Sequence, residues 1–151
     1  MPNNQEPGLS PSERADFRRL ADLMIPASSE YGVPGAGDAV IFADIEASLG
    51  RDLADVRKAL AGLAALSGGS FAALDDAKAD AIGREFHGGK TPEVTVLGRT
   101  ILQCYYRDDR VVRSLGLEPR PPFPKGHTLE QGDWSLLDPV RARPKMWRDA
   151  P

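Results

Sequence analysis

The sequence predicts an all-α fold: a small helical domain of about five helices, then a long, extended, proline-rich carboxy-terminal arm. Three observations lead there. Apolar residues recur at three- and four-residue spacing along most of the chain. Capping residues followed by proline and an acid mark helix starts. No segment alternates apolar and polar residues in the manner of a half-buried strand.

The first start is Ser10-Pro11-Ser12-Glu13, with a capping serine, a proline at the first helical position and a glutamate three residues on. Phe17, Leu20, Ala21, Leu23, Met24 and Ile25 then form one face, opposite Arg14, Asp16, Arg18, Arg19 and Asp22. Pro26 stops this helix near Ile25. The loop that follows carries Pro34-Gly35-Ala36-Gly37, and Asp38 caps a second helix with Val40, Ile41, Ala43, Ile45 and Leu49 as its apolar face and Gly50 as its stop.

A third helix begins near Asp52, with Leu53, Val56, Leu60, Leu63 and Leu66 in register until Ser67-Gly68-Gly69 ends it. Phe71 then anchors a more polar helix whose apolar positions are Leu74, Ala77, Ala81, Ile82 and Phe86, followed by a turn at His87-Gly88-Gly89-Lys90. Thr91-Pro92-Glu93 repeats the cap, proline and acid signal. It opens the helix expected to be the most buried, through Val94, Leu97, Ile101, Leu102, Tyr105 and Tyr106. Asp108 and Asp109 cap a short turn through Val111, Val112 and Leu115, ended by Gly116.

These starts and stops divide the chain into a flexible leader, 1–9, a helical domain, 10–116, and an arm, 117–151. A chain of 151 residues with 41% hydrophobic content can bury one modest core. Its net charge of −3 argues against nucleic-acid binding, which needs clustered lysine and arginine in excess. No apolar run approaches the roughly 20 residues that span a bilayer, so direct membrane insertion is not expected. The opening residues lack a signal-peptide pattern, and Arg18-Arg19 has no long apolar stretch after it. With Cys104 as the single cysteine, no internal disulfide forms, and a cytoplasmic setting is expected.

Candidate chemistry is sparse. Gly35-Ala36-Gly37 invites a dinucleotide reading, but a helix precedes it and Val40 stands where the third glycine belongs. His87, His127 and Cys104 could supply three metal ligands, yet none is paired at ligand spacing. Cys104 would be a nucleophile only beside a group that lowers its pKa, and its place within a helix suits a core thiol. Asp75-Asp76 and Asp108-Asp109 are adjacent pairs that point apart on a helix. No glycine-flanked serine elbow occurs. The chain therefore holds no recognisable catalytic, cofactor-binding or metal-binding constellation, and a role in binding another macromolecule is expected.

The arm is where such binding would fall. Its 35 residues hold seven of the 13 prolines and both tryptophans. Phe123, Leu129, Trp134, Leu136, Leu137, Met146 and Trp147 are too many large apolar groups for a solvating tail, and Arg141, Arg143 and Arg148 lie among them. Such residues bury either on the chain's own helices or on another protein, where aromatic and arginine anchors dominate interface energetics.

The segment Leu20-Ala21-Asp22-Leu23-Met24-Ile25-Pro26, followed by Pro34-Gly35-Ala36 and an apolar helix, resembles the amino-terminal signature of the gluconate 2-dehydrogenase subunit 3 family. The likeness runs on through the leucine-rich third helix, Phe71 and the ending "CYYRDDRVVRSLG", covering most of Pro11 to Gly116. It implies a non-catalytic small subunit that stabilises a flavin-dependent sugar, glycoside or alcohol dehydrogenase or oxidase. The implied partner is a large catalytic subunit of the glucose-methanol-choline type, with FAD in that partner and no cofactor in this chain. On that view the partner interface is Phe123, Trp134, Leu137, Arg141, Arg143, Met146 and Trp147. The alternatives are a stand-alone metal-binding protein or enzyme using His87, His127 and Cys104, and a self-contained domain whose tail packs on its own helices.

Overall fold

The computed structural model describes residues 8–121, 123–128 and 130–146. It divides into two units, residues 1–119 and 120–151, each with its own internal packing. The first holds six α-helices: α1 (Pro11–Met24), α2 (Ala39–Ser48), α3 (Leu53–Ser67), α4 (Asp76–Gly88), α5 (Pro92–Tyr105) and α6 (Asp109–Ser114). The second holds a 3₁₀ turn, Trp134–Leu137, running into α7 (Asp138–Arg141). No strand occurs among the described residues; Ser28 and Val33 form one isolated bridge.

Local chemistry sets the helix starts. The Ser10 hydroxyl accepts the Glu13 amide while the Glu13 carboxylate accepts the Ser10 amide at 2.8 Å, a complete capping box. Asp38, Asp75, Thr91 and Asp108 cap α2, α4, α5 and α6 in the same way with one side chain each. At the far end of α6, Gly116 is left-handed (φ 73°), and the Leu117 amide returns to the Val112 carbonyl at 3.2 Å. That double turn binds residues past the helix to its last carbonyls.

The core lies between α3 and α5, with α2 packed on α5, and α4 and α1 closing over α3. Phe17, Leu20, Ile41, Ile45, Val56, Leu63, Phe71, Leu97 and Ile101 are essentially fully buried. Phe17 meets Phe42 edge-on, with ring centroids 5.5 Å apart. Several expected core positions differ. On α2, Phe42 faces inward and Val40 is exposed. On α4 the inward row is Ala79, Gly83 and Phe86, because the helix starts at Asp76 and its phase turns Ala77 and Ala81 outward. On α5, Leu102 and Tyr106 are exposed, while Cys104 is buried as a core thiol should be.

The corner between α1 and α2 is held by Asp22. Its carboxylate accepts the Gly37 amide at 2.9 Å, and Arg18 donates its Nε to the Gly37 carbonyl at 2.7 Å. A Cβ on Gly35 would fall 2.5 Å from Asp22 Oδ1 and 2.9 Å from the Ala27 nitrogen, and one on Gly37 would overlap the Asp22 carboxylate. Both glycines are there to let backbone wrap a side chain of α1. From the other side, the Tyr105 hydroxyl donates to the Pro34 carbonyl at 3.2 Å.

A second acidic group does similar work deeper in. Asp16, 4% exposed, accepts the Ser70 hydroxyl and the Ala72 amide, each at 2.8 Å. These bonds tie α1 to the 3₁₀ turn Phe71–Ala73 that seats Phe71 in the core. In the leader, Gly8 accepts from Arg57 at 2.7 Å, and Leu9 is partly buried against the core.

Candidate functional site

Three successive amides of the glycine loop are already taken. The Gly37 amide is taken by Asp22, the Ala36 amide by the Ile25 carbonyl at 2.9 Å, and the Asp38 amide by the Gly35 carbonyl at 3.1 Å. A phosphate cradle requires those amides to converge on open space. The loop is a scaffold corner.

The two histidines and the cysteine are positioned individually. His87 lies within α4, which runs one residue past it, and its ring stacks edge-on with Phe86. Cys104 is buried in α5, and that burial pushes its thiol above the ordinary cysteine range; contact with Ser48 offsets this in part. A raised thiol pKa is the opposite of what a nucleophile needs. Arg107, the neighbouring cation, is engaged with Asp44 at 2.6 Å through two nitrogens. His127 lies in the second unit. No group of three histidine, cysteine, aspartate or glutamate side chains suited to a metal is found among the described residues.

The arm carries the strongest surface signal. Asp133 accepts the Ser135 amide at 3.0 Å and its hydroxyl at 2.6 Å, which starts the 3₁₀ turn Trp134–Leu137. Asp138 and Pro139 then begin α7, with Arg141 reaching back to Asp138 at 3.2 Å. This short helical piece departs from a wholly extended arm. Trp134 and Leu137, the two ends of the 3₁₀ turn, are three apart and so project along one side, and Val140, three further on in α7, is exposed as well.

Phe123 is 86% exposed, Met146 81%, Leu136 74% and Trp134 63%. Leu137, Val140, Arg141 and Arg143 are exposed as well. Of the expected interface residues, Trp147 lies outside the described residues, as do Leu129 and Arg148. Val140 is exposed as well and was missed, although it stands three residues beyond Leu137.

Fold and surface together define a class: a compact helical body joined to a unit whose described side chains present apolar groups to solvent. In comparisons with known proteins, no family model, curated protein or solved structure matches the chain.

Proposed function

We propose that the chain is a non-catalytic small subunit that binds and stabilises a large FAD-dependent dehydrogenase or oxidase of the glucose-methanol-choline type acting on sugars, glycosides or alcohols. The observation that carries the binding role is the set of large apolar groups the second unit leaves exposed, Phe123, Trp134, Leu136, Leu137, Val140 and Met146. Soluble chains seldom leave so many large apolar groups in water without a partner surface. The identity of that partner rests on the family resemblance of Leu20–Pro26 and Pro34–Ala36.

The arm supplies aromatic anchors and the cations Arg141 and Arg143 for the rim of the contact. Binding only the native partner stabilises it by mass action, by about 2.7 kcal/mol when the small subunit is present at roughly 100 times its Kd. FAD and the reacting groups belong to the partner. No described helix is long and apolar enough to cross a membrane.

The test is truncation after Pro119, which spares the turn that ends α6. Co-expressed with the FAD subunit, the full chain should co-purify with it and raise its thermal midpoint, and the truncated chain should do neither. Undiminished capture of the flavoprotein by residues 1–119 would sink the arm as the interface.

A further inference from the structure

Where α3 faces the junction of α4 and α5 lies a cleft of about 490 Å³, within the range of small-molecule sites. Its floor is apolar: Ala59, Phe86 and Val94 are buried beneath it, and Leu66 forms an edge. Gly62, an exposed position of α3, lines its open side. Glycine in a helix interior weakens the helix, and proteins accept that where a close approach demands it. Gly83 is such a case, since a Cβ there would fall 2.6 Å from Leu23 Cδ2. At Gly62 a Cβ would meet nothing within 4 Å. The α3 helix thus carries no side chain at an exposed position where one would fit, and the cleft is open there.

The cleft's charges specify its occupant. Three charged side chains line it, Lys58, Glu85 and Glu93. Lys58 is paired with Glu93, whose carboxyl is held down to about 2 by that ammonium. The Glu85 carboxylate makes no ion pair or hydrogen bond with any described residue, so the rim has one uncompensated negative charge.

We propose that this cleft binds a small apolar molecule, the size of a substituted aromatic ring, that carries a cationic head, with the ring over Phe86 beside Gly62 and the head at Glu85. Entry of the ring removes apolar surface from water on both sides. The head satisfies Glu85 without breaking the Lys58–Glu93 pair.

The test uses the full chain alone, so it stands or falls separately from the accessory-subunit reading. Amide spectra are recorded while 2-phenylethylamine is added, and again with 3-phenylpropanoate, which has similar shape and opposite charge. The amine should shift Gly62 and Gly89 saturably, with the carboxylate weaker. Glu85→Gln should weaken the amine about threefold to fivefold, the scale of a solvent-exposed ion pair. Gly62→Leu, which fills the space, should abolish binding without lowering the thermal midpoint. Absence of saturable shifts, equal binding of the carboxylate, or undiminished binding by Gly62→Leu overturns the proposal. So does an outcome in which the amine never binds but Gly62→Leu blocks capture of the flavoprotein, because the cleft then receives a partner's side chain.

Discussion

The Asp22 carboxylate and the Gly37 amide meet at 2.9 Å across fifteen positions of the chain, and that bond joins the end of α1 to the cap of α2. Removing the acceptor leaves a partly buried amide without a partner, which costs about 1–3 kcal/mol. Asp22→Ala should therefore lower the free energy of unfolding by that amount in urea titrations. Asp22→Asn keeps an acceptor oxygen and should lose clearly less. Gly37→Ala should be at least as harmful as Asp22→Ala, since the new methyl overlaps the carboxylate. Equal stability of all three variants would contradict the corner as described.

Asp16 is the more deeply buried acid, holding Ser70 and Ala72 together. Hydrogen bonds to a charged acceptor are each stronger than neutral ones, so Asp16→Ala should destabilise by roughly 2–3 kcal/mol. Ser70→Ala removes one neutral donor while the Ala72 amide still serves the carboxylate, and should cost about 1 kcal/mol. Chemical denaturation of both variants checks the order.

Arg110 links the caps of two helices, touching Asp38 at 2.7 Å and Asp108 at 3.0 Å. Its hydrogen bonds hold both carboxyls below their ordinary value of 3.8. A carboxylate whose pKa is lowered by folding contributes stability above its unfolded pKa, and that contribution is lost as pH falls through the folded value. Arg110→Ala should thus be less stable at pH 7, by under about 1 kcal/mol per pair because these groups are partly exposed. Its deficit should shrink as the pH drops below 3.8. Unfolding curves between neutral and strongly acidic pH test this, and a deficit constant across that range would count against it.

Gly62 offers a change in the opposite direction. Its Cβ position is empty, and alanine in a helix interior is favoured over glycine by roughly 0.5–1 kcal/mol. Gly62→Ala should raise the unfolding free energy by about that much, measured by thermal or urea denaturation. Gly83→Ala, with Leu23 in the way, should lower it.

The helix starts were legible because capping is a conversation between residues three apart. Ser10 with Glu13, Asp38 with Val40 and Ile41, and Thr91 with Val94 are all visible in a short window. The corner and the buried acid were not. Asp22 and Asp16 look like polar-face residues of α1, and their partners lie fifteen and more than fifty positions away. The phase of α4 was misread for a related reason: alanines carry little hydrophobic signal, so Ala77 and Ala79 could not be told apart until Gly83 brought α4 against Leu23. In the arm, the composition exposed the anchors, but the run from Trp134 to Arg141 is too short for periodicity to declare a helix. Nothing local to Gly62 distinguished an open glycine from a crowded one; that needed the neighbours across the cleft.

Every residue of the buried core lies between Phe17 and Val111, and none of the described side chains from Leu117 onward is buried except in part near Pro119. Substitutions at Trp134, Leu137 or Val140 thus fall outside the set that folding polices. Selection can retune what the arm touches, one anchor at a time, while the helical body keeps the same thermodynamic footing. In such a chain, drift in the arm and constancy in the body are two separate clocks.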